Sequence, residues 1–131
     1  MSKSNQWESD LLKLVFNNTT CTKLGDAAGV LKSVADGYIY VSLHTADPNE
    51  TGDQTTSETV YTNYARVGIP RITVTGWTVS ATAPTQAANA VAVTFAQCGV
   101  TGATITYVGA GTGATGGTPE KLLYSGQLTS Q

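Results

Sequence analysis

Charge is scarce in this chain. Only 12% of its 131 residues are Asp, Glu, Lys or Arg, which leaves neither solvated charge runs nor the charged flanks of coiled-coil heptads. Nine acids against seven bases give a net charge of −2, so binding to nucleic acid through its phosphates is not expected. From Ile72 to Pro119 there is no charged residue at all. Domains normally keep charge on their surface for solubility. That segment therefore either faces other protein or stays soluble through its hydroxyls. Histidine occurs once and cysteine twice. Cys21 and Cys98 do not sit at metal-binding spacing and read as reduced thiols, the alternative being a bridge formed after release into an oxidising medium. No apolar run approaches the roughly 20 residues of a membrane span, so no membrane partner is expected. The opening MSKSNQWESDLLKLVF has too short an apolar run for a signal peptide, which implies assembly in a cytosol.

Thr, Ser, Ala and Gly fill the space that charge leaves, a mixture suited to turn-rich β structure. The length corresponds to one domain. Residues 6–16 read as an amphipathic helix: Trp7, Leu11, Leu14 and Val15 recur at helical spacing, Ser4 or Asn5 can cap the start, and Glu8 and Asp10 fall near the first turn. Asp26 can cap a second short helix carrying Val30, Leu31 and Val34, against which Gly25 and Gly29 count. From Tyr38 the period changes to two. Strands are predicted at about 38–44, 63–69, 71–79, 90–95, 104–108 and 121–128, with Pro70 at a bend and Gly109–Gly117 as a flexible turn. The expected fold is mainly β. It is a single antiparallel β-sandwich of jelly-roll-like type over 37–131, preceded by an N-terminal helical arm over 1–36 with one or two short helices.

Four of the nine acids, Asp47, Glu50, Asp53 and Glu58, lie in one loop after the first strand. Asp47, Asn49, Thr51, Gly52 and Glu58 occupy positions 1, 3, 5, 6 and 12 of the calcium-binding loop pattern, which ends on a bidentate glutamate. Thr51 and Gln54 depart from that pattern, and the flanks read as strands. An acidic surface loop whose Asp47 and Thr45 bond local backbone is therefore the favoured reading, with no metal or other cofactor. Ser42 and His44 share one face of a strand. Two residues so placed make a poor frame for a nucleophile and its base, and no third orienting group is evident. His44 is expected to bond a loop carbonyl or pack on tyrosine. The run Gly109-Ala110-Gly111-Thr112-Gly113 lacks the lysine and following helix of a phosphate loop. The two tryptophans, with Tyr38, Tyr40, Tyr61, Tyr64, Tyr107 and Tyr124, could line a sugar-binding face or fill a core and an interface; Trp77 reads as core.

The words SLHTADP, TGDQTTSE, YARV, GWTVS, ITYVGAGTGATGG and KLLYSGQLT, in that order along the chain, resemble a family of small tailed-phage virion proteins described as tail-fibre or head-decoration proteins. The resemblance implies a structural, non-enzymatic virion protein assembled in the host bacterial cytoplasm. A capsid decoration or cement role is expected first, with the major capsid protein as partner and a homo-oligomer as the acting form. The alternative is a tail or tail-fibre component contacting tail proteins, and a third reading is a carbohydrate-binding module. Trp7, Leu11, Leu14 and Val15 are the candidate interface residues, because a helix this short is marginal in water unless it packs on something.

Overall fold

The computed structural model describes residues 2–26, 28–116 and 120–129. One helix and six strands follow in the order α1 (Asn5–Phe16), β1 (Tyr38–His44), β2 (Val67–Pro70), β3 (Trp77–Val79), β4 (Ala87–Asn89), β5 (Tyr107–Gly111) and β6 (Leu122–Gln127). The protein is mainly β, as expected, and the pairings β1–β5, β5–β6 and β3–β4 are antiparallel. Strands run β2-β1-β5-β6 in the larger sheet, and β3 and β4 pair alone. The chain divides into two compact units: residues 1–38 with 69–92, and 39–68 with 93–131.

In the first unit, α1 forms where capping and periodicity agree. Ser4 Oγ accepts from the Trp7 amide at 3.3 Å, and Glu8 and Lys13 complement the helix dipole at its two ends. Its buried residues are Ser9 and Phe16. Phe16 meets Trp77 of β3 with ring centroids 4.6 Å apart, and these two with Cys21 and Ile69 are the unit's buried apolar residues. Arg71 closes the helix. Its Nη2 donates to the Leu14 carbonyl at 2.6 Å and its Nε to that of Val15 at 2.5 Å, satisfying carbonyls that the last turn leaves open. Trp7, Leu11, Leu14 and Val15 are all half-buried along α1.

The second expected helix does not form. Gly25 and Gly29 have φ of +85° and +73°, outside the right-handed helical region. Asp26 caps a turn instead, accepting from the Ala28 and Gly29 amides, and Cys21 and Val30 form an isolated bridge. Four predicted strands also shift. Residues 63–66 are turn and loop, with Asn63 at φ +76°, and β2 starts only at Val67. The alternation of Ile72 and Val74 lies in a turn closed by Trp77 N to the Ile72 carbonyl, and Val74 is 81% exposed. The strand predicted at 90–95 ends at Asn89, and Val91 is exposed. The fifth runs to Gly111, three residues past its predicted end. Gly109 and Gly111 are therefore ladder residues rather than a flexible turn. Gly117, the predicted end of that turn, lies outside the described residues.

Candidate functional site: a buried polar network beneath the acidic loop

Among the described residues, the largest fully buried side chains lie in the second unit and are mostly polar: His44, Gln54, Thr59, Pro48 and Ser42. Their arrangement starts from β1. Successive strand residues face opposite sides, so Tyr40, Ser42 and His44 share a face. The β5 residues paired with them are Gly111, Gly109 and Tyr107. Two glycines thus lie where side chains would otherwise stand, and the space is occupied. A Cβ on Gly109 would meet His44 Nε2 at 2.6 Å and Ser42 Oγ at 2.8 Å, and one on Gly111 would collide with the Gln54 amide.

His44 Nδ1 lies 2.8 Å from the Thr56 carbonyl. A carbonyl only accepts, so Nδ1 carries the proton and Nε2 accepts from Ser42 Oγ at 2.9 Å. This is the loop-carbonyl bond expected from the sequence. Both residues have 0% exposure, so the pair is sealed inside the fold and ties the loop to the sheet.

Gln54 does the same at the loop's centre. Its Nε2 donates to the Tyr40 carbonyl at 2.9 Å, and its Oε1 accepts from the Gly113 amide at 2.9 Å. Asp53, one residue earlier, accepts from the Thr55 amide and hydroxyl. The Thr55 hydroxyl, then its amide, hold the Asp53 carboxyl below the usual carboxylate range.

The charged centre is Arg66 with Glu58. Arg66 Nε and Nη2 reach the two Glu58 oxygens at 2.7 Å each, a bidentate pair with side-chain exposures of 0% and 6%. Arg66 also donates to the carbonyls of Gly113 at 3.1 Å and Gln54 at 3.3 Å. Tyr64 donates to Glu58 Oε1 at 2.8 Å and accepts from the Leu43 amide at 3.1 Å. Burial pushes the Tyr64 hydroxyl well above the ordinary tyrosine range, and the bond to Glu58 adds to this. The Glu58 hydrogen bond, in turn, raises Arg66 further above its ordinary value.

The structure does not assemble Asp47, Asn49, Thr51 and Glu58 as a ligand set. Asp47 Oδ1 accepts from the Asn49 amide at 2.9 Å in an exposed turn, whereas both Glu58 oxygens belong to Arg66 and Tyr64. Among the described residues no group of three His, Cys, Asp or Glu side chains could hold a metal. Sequence reasoning placed the loop and His44 but missed Gln54 and Arg66 as its centre. A signal existed: Arg66 is one of two arginines in a chain poor in charge, and a lone cation within a tyrosine-rich segment needs a buried partner.

The network binds its own chain together: His44, Gln54 and Arg66 each tie the loop to other stretches of the chain. The model of the podophage GP4 fiber I protein gp80 family matches residues 2–131. The chain belongs to that family and is a phage structural protein. No curated protein and no solved structure matches the chain.

Proposed function

We propose that the protein is a component of the phage tail-fibre apparatus, without catalytic activity, which contacts other virion proteins through protein surface and acts as a homo-oligomer. The observation that carries this reading is the fibre-family match over residues 2–131. It favours the tail-fibre role, the alternative in the sequence reading, over capsid decoration, the role expected first. Two features of the chain are consistent with it. Val74, Val91 and Val100 are exposed by 81%, 54% and 96%, all within the uncharged segment from Ile72 to Pro119. A long segment without charge to keep it solvated suits contact with other protein. The Ser42–His44 pair, which has the residue types of a nucleophile and base, is enclosed and bonded to the loop.

The test is copy number in purified particles, measured by quantitative gel against the major capsid protein. A fibre component is expected at a small multiple of the tail's symmetry. Hundreds of copies, near the number of the capsid protein, would instead identify a decoration protein. Absence from particles would remove both roles.

A further inference from the structure

Residues 93–97, in the second unit, carry the pattern of a strand and have no strand beside them. The alternation of Val91, Val93 and Phe95 predicted a strand here, and residues 93–99 do run without turn or bend. Val93 and Phe95 are half-buried, with the Phe95 ring stacked on Tyr64 at 6.3 Å, while Thr94, Ala96 and Gln97 are exposed. Among the described residues none of the amides of 93–97 has a partner. Of their carbonyls only that of Ala96 has one, the Tyr61 hydroxyl at 3.0 Å. We propose that this stretch adds as a strand to the free edge of β6 in a second copy of the chain. The proposal rests on the homo-oligomer reading above and names the two surfaces that meet.

Each edge is defined by the bonds its neighbours already make. The amide and carbonyl of a strand residue point to the same side, and the side alternates along the chain. With the Ala96 carbonyl turned to Tyr61, residues 93, 95 and 97 offer their backbone groups outward. β6 is the last strand of the larger sheet. Leu128 N donates to the Thr106 carbonyl at 2.9 Å, so the even-numbered residues of this stretch face β5, and Ser125 and Gln127 face away from the sheet. A register shift opposite Ala110 and Gly111 interrupts the edge before Tyr124. Residues 124–128 remain as a regular edge, equal in length to residues 93–97.

Composition favours pairing over solvation. An exposed stretch of β-branched and aromatic residues with unpaired backbone is a template for another strand, and proteins that must keep such a stretch apart blunt it with Lys, Pro or a bulge. Residues 90–98 contain no charged residue, no proline and no glycine. Charge selects a second copy as the occupant. With a net charge of −2 and an acidic loop, two copies repel each other wherever their acids meet. Residues 90–98 and 122–131 are both uncharged, so here two copies approach without repulsion and desolvate no charge. The added strand and the receiving edge are different surfaces. The contact is therefore head-to-tail, and it closes into a ring where the rotation permits.

Sedimentation velocity of the full chain at micromolar concentration reads the assembly. Val93→Pro removes an outward amide from the added strand, and Ser125→Pro removes one from the receiving edge; a proline is tolerated where the amide bonds nothing within its own chain. The wild-type chain is expected to sediment as an oligomer. Each variant alone should sediment as a monomer with a cooperative melt. An equimolar mixture of the two should form a dimer and nothing larger, because each variant keeps the surface that the other lacks. Thr94→Lys and Ser125→Lys take the place of the proline variants should either lose its cooperative melt. Wild-type oligomers that survive both substitutions overturn the proposal and leave the homo-oligomer reading standing. A mixture that stays monomeric while the wild type assembles does the same, since it means like surfaces pair with like. A wild-type monomer overturns both, whether or not another virion protein covers these edges.

Discussion

At the scale of single residues, the chain concentrates its few charges where they brace backbone. Its two arginines serve one unit each: Arg71 holds the carbonyls that end α1, and Arg66 holds Glu58 and two loop carbonyls. A guanidinium suits this because its five donors form a rigid fork that stays protonated. Breaking the Arg66–Glu58 pair from one side leaves an uncompensated buried charge. Glu58→Gln or Arg66→Met should each cost about 3–5 kcal/mol in denaturant unfolding, whereas replacing both together with apolar residues should cost less than the sum of the two. Equal or larger loss in the double variant would show that the loop carbonyls, not Glu58, are the main partners of Arg66. Tyr64 offers a pH readout. Its folded pKa is raised above the ordinary value of 10.0, so its contribution is complete below pH 10 and is lost as pH rises from there toward the folded value. In a spectrophotometric titration at 295 nm one tyrosine should lag behind the others, and Tyr64→Phe should remove that lagging step.

At the scale of elements, the outcome divides by how local the determining physics is. The bounds of α1 were legible to within one residue because its cap, charges and apolar spacing are all encoded within the segment. β1 was legible in full for the same reason. The predicted strand over 71–79 formed only at its end, as β3, because alternation is a sign of a half-buried strand only where a partner covers one face. At Ile72–Thr75 the backbone turns back and Val74 points to water. The glycines of β5 were read as a turn because glycine ordinarily weakens a strand. What keeps them in the ladder is non-local: His44, Ser42 and Gln54 occupy the space their side chains would need. No spacing within 109–113 reveals that. The polar network was illegible as a whole because its members come from four separate stretches, around residues 42, 54–58, 64–66 and 109–113. The first unit supplies the element-scale prediction. Phe16 is 5% exposed and rests on Trp77, so Phe16→Ala should destabilise the protein by about 3–5 kcal/mol. Trp7 and Leu11 are only half-buried. If they form the interface expected of them, replacing both with Ser should change the oligomeric state in light scattering while the melting transition stays cooperative.

At the scale of the whole molecule, the remaining question is what the acidic loop does for stability. Its four carboxylates would suit a bound cation if they converged, and a calcium ion at 100 times its dissociation constant would add about 2.7 kcal/mol, several degrees of melting temperature for a chain of this length. The geometry distributes them instead. Asp47 shapes its own turn, Asp53 is held by Thr55, and Glu58 is bonded to Arg66 and Tyr64. To close around calcium, Glu58 would have to leave Arg66 buried and unpaired, a loss on the scale of the ion's own contribution. EDTA is therefore expected to shift the melting temperature by no more than about a degree. Asp47→Ala should cost only what its turn bonds are worth, about 1 kcal/mol, and equally with or without calcium. A shift of several degrees on chelation, abolished by Asp47→Ala, would mean that the loop rearranges around an ion and that the Arg66–Glu58 pair is not what holds it.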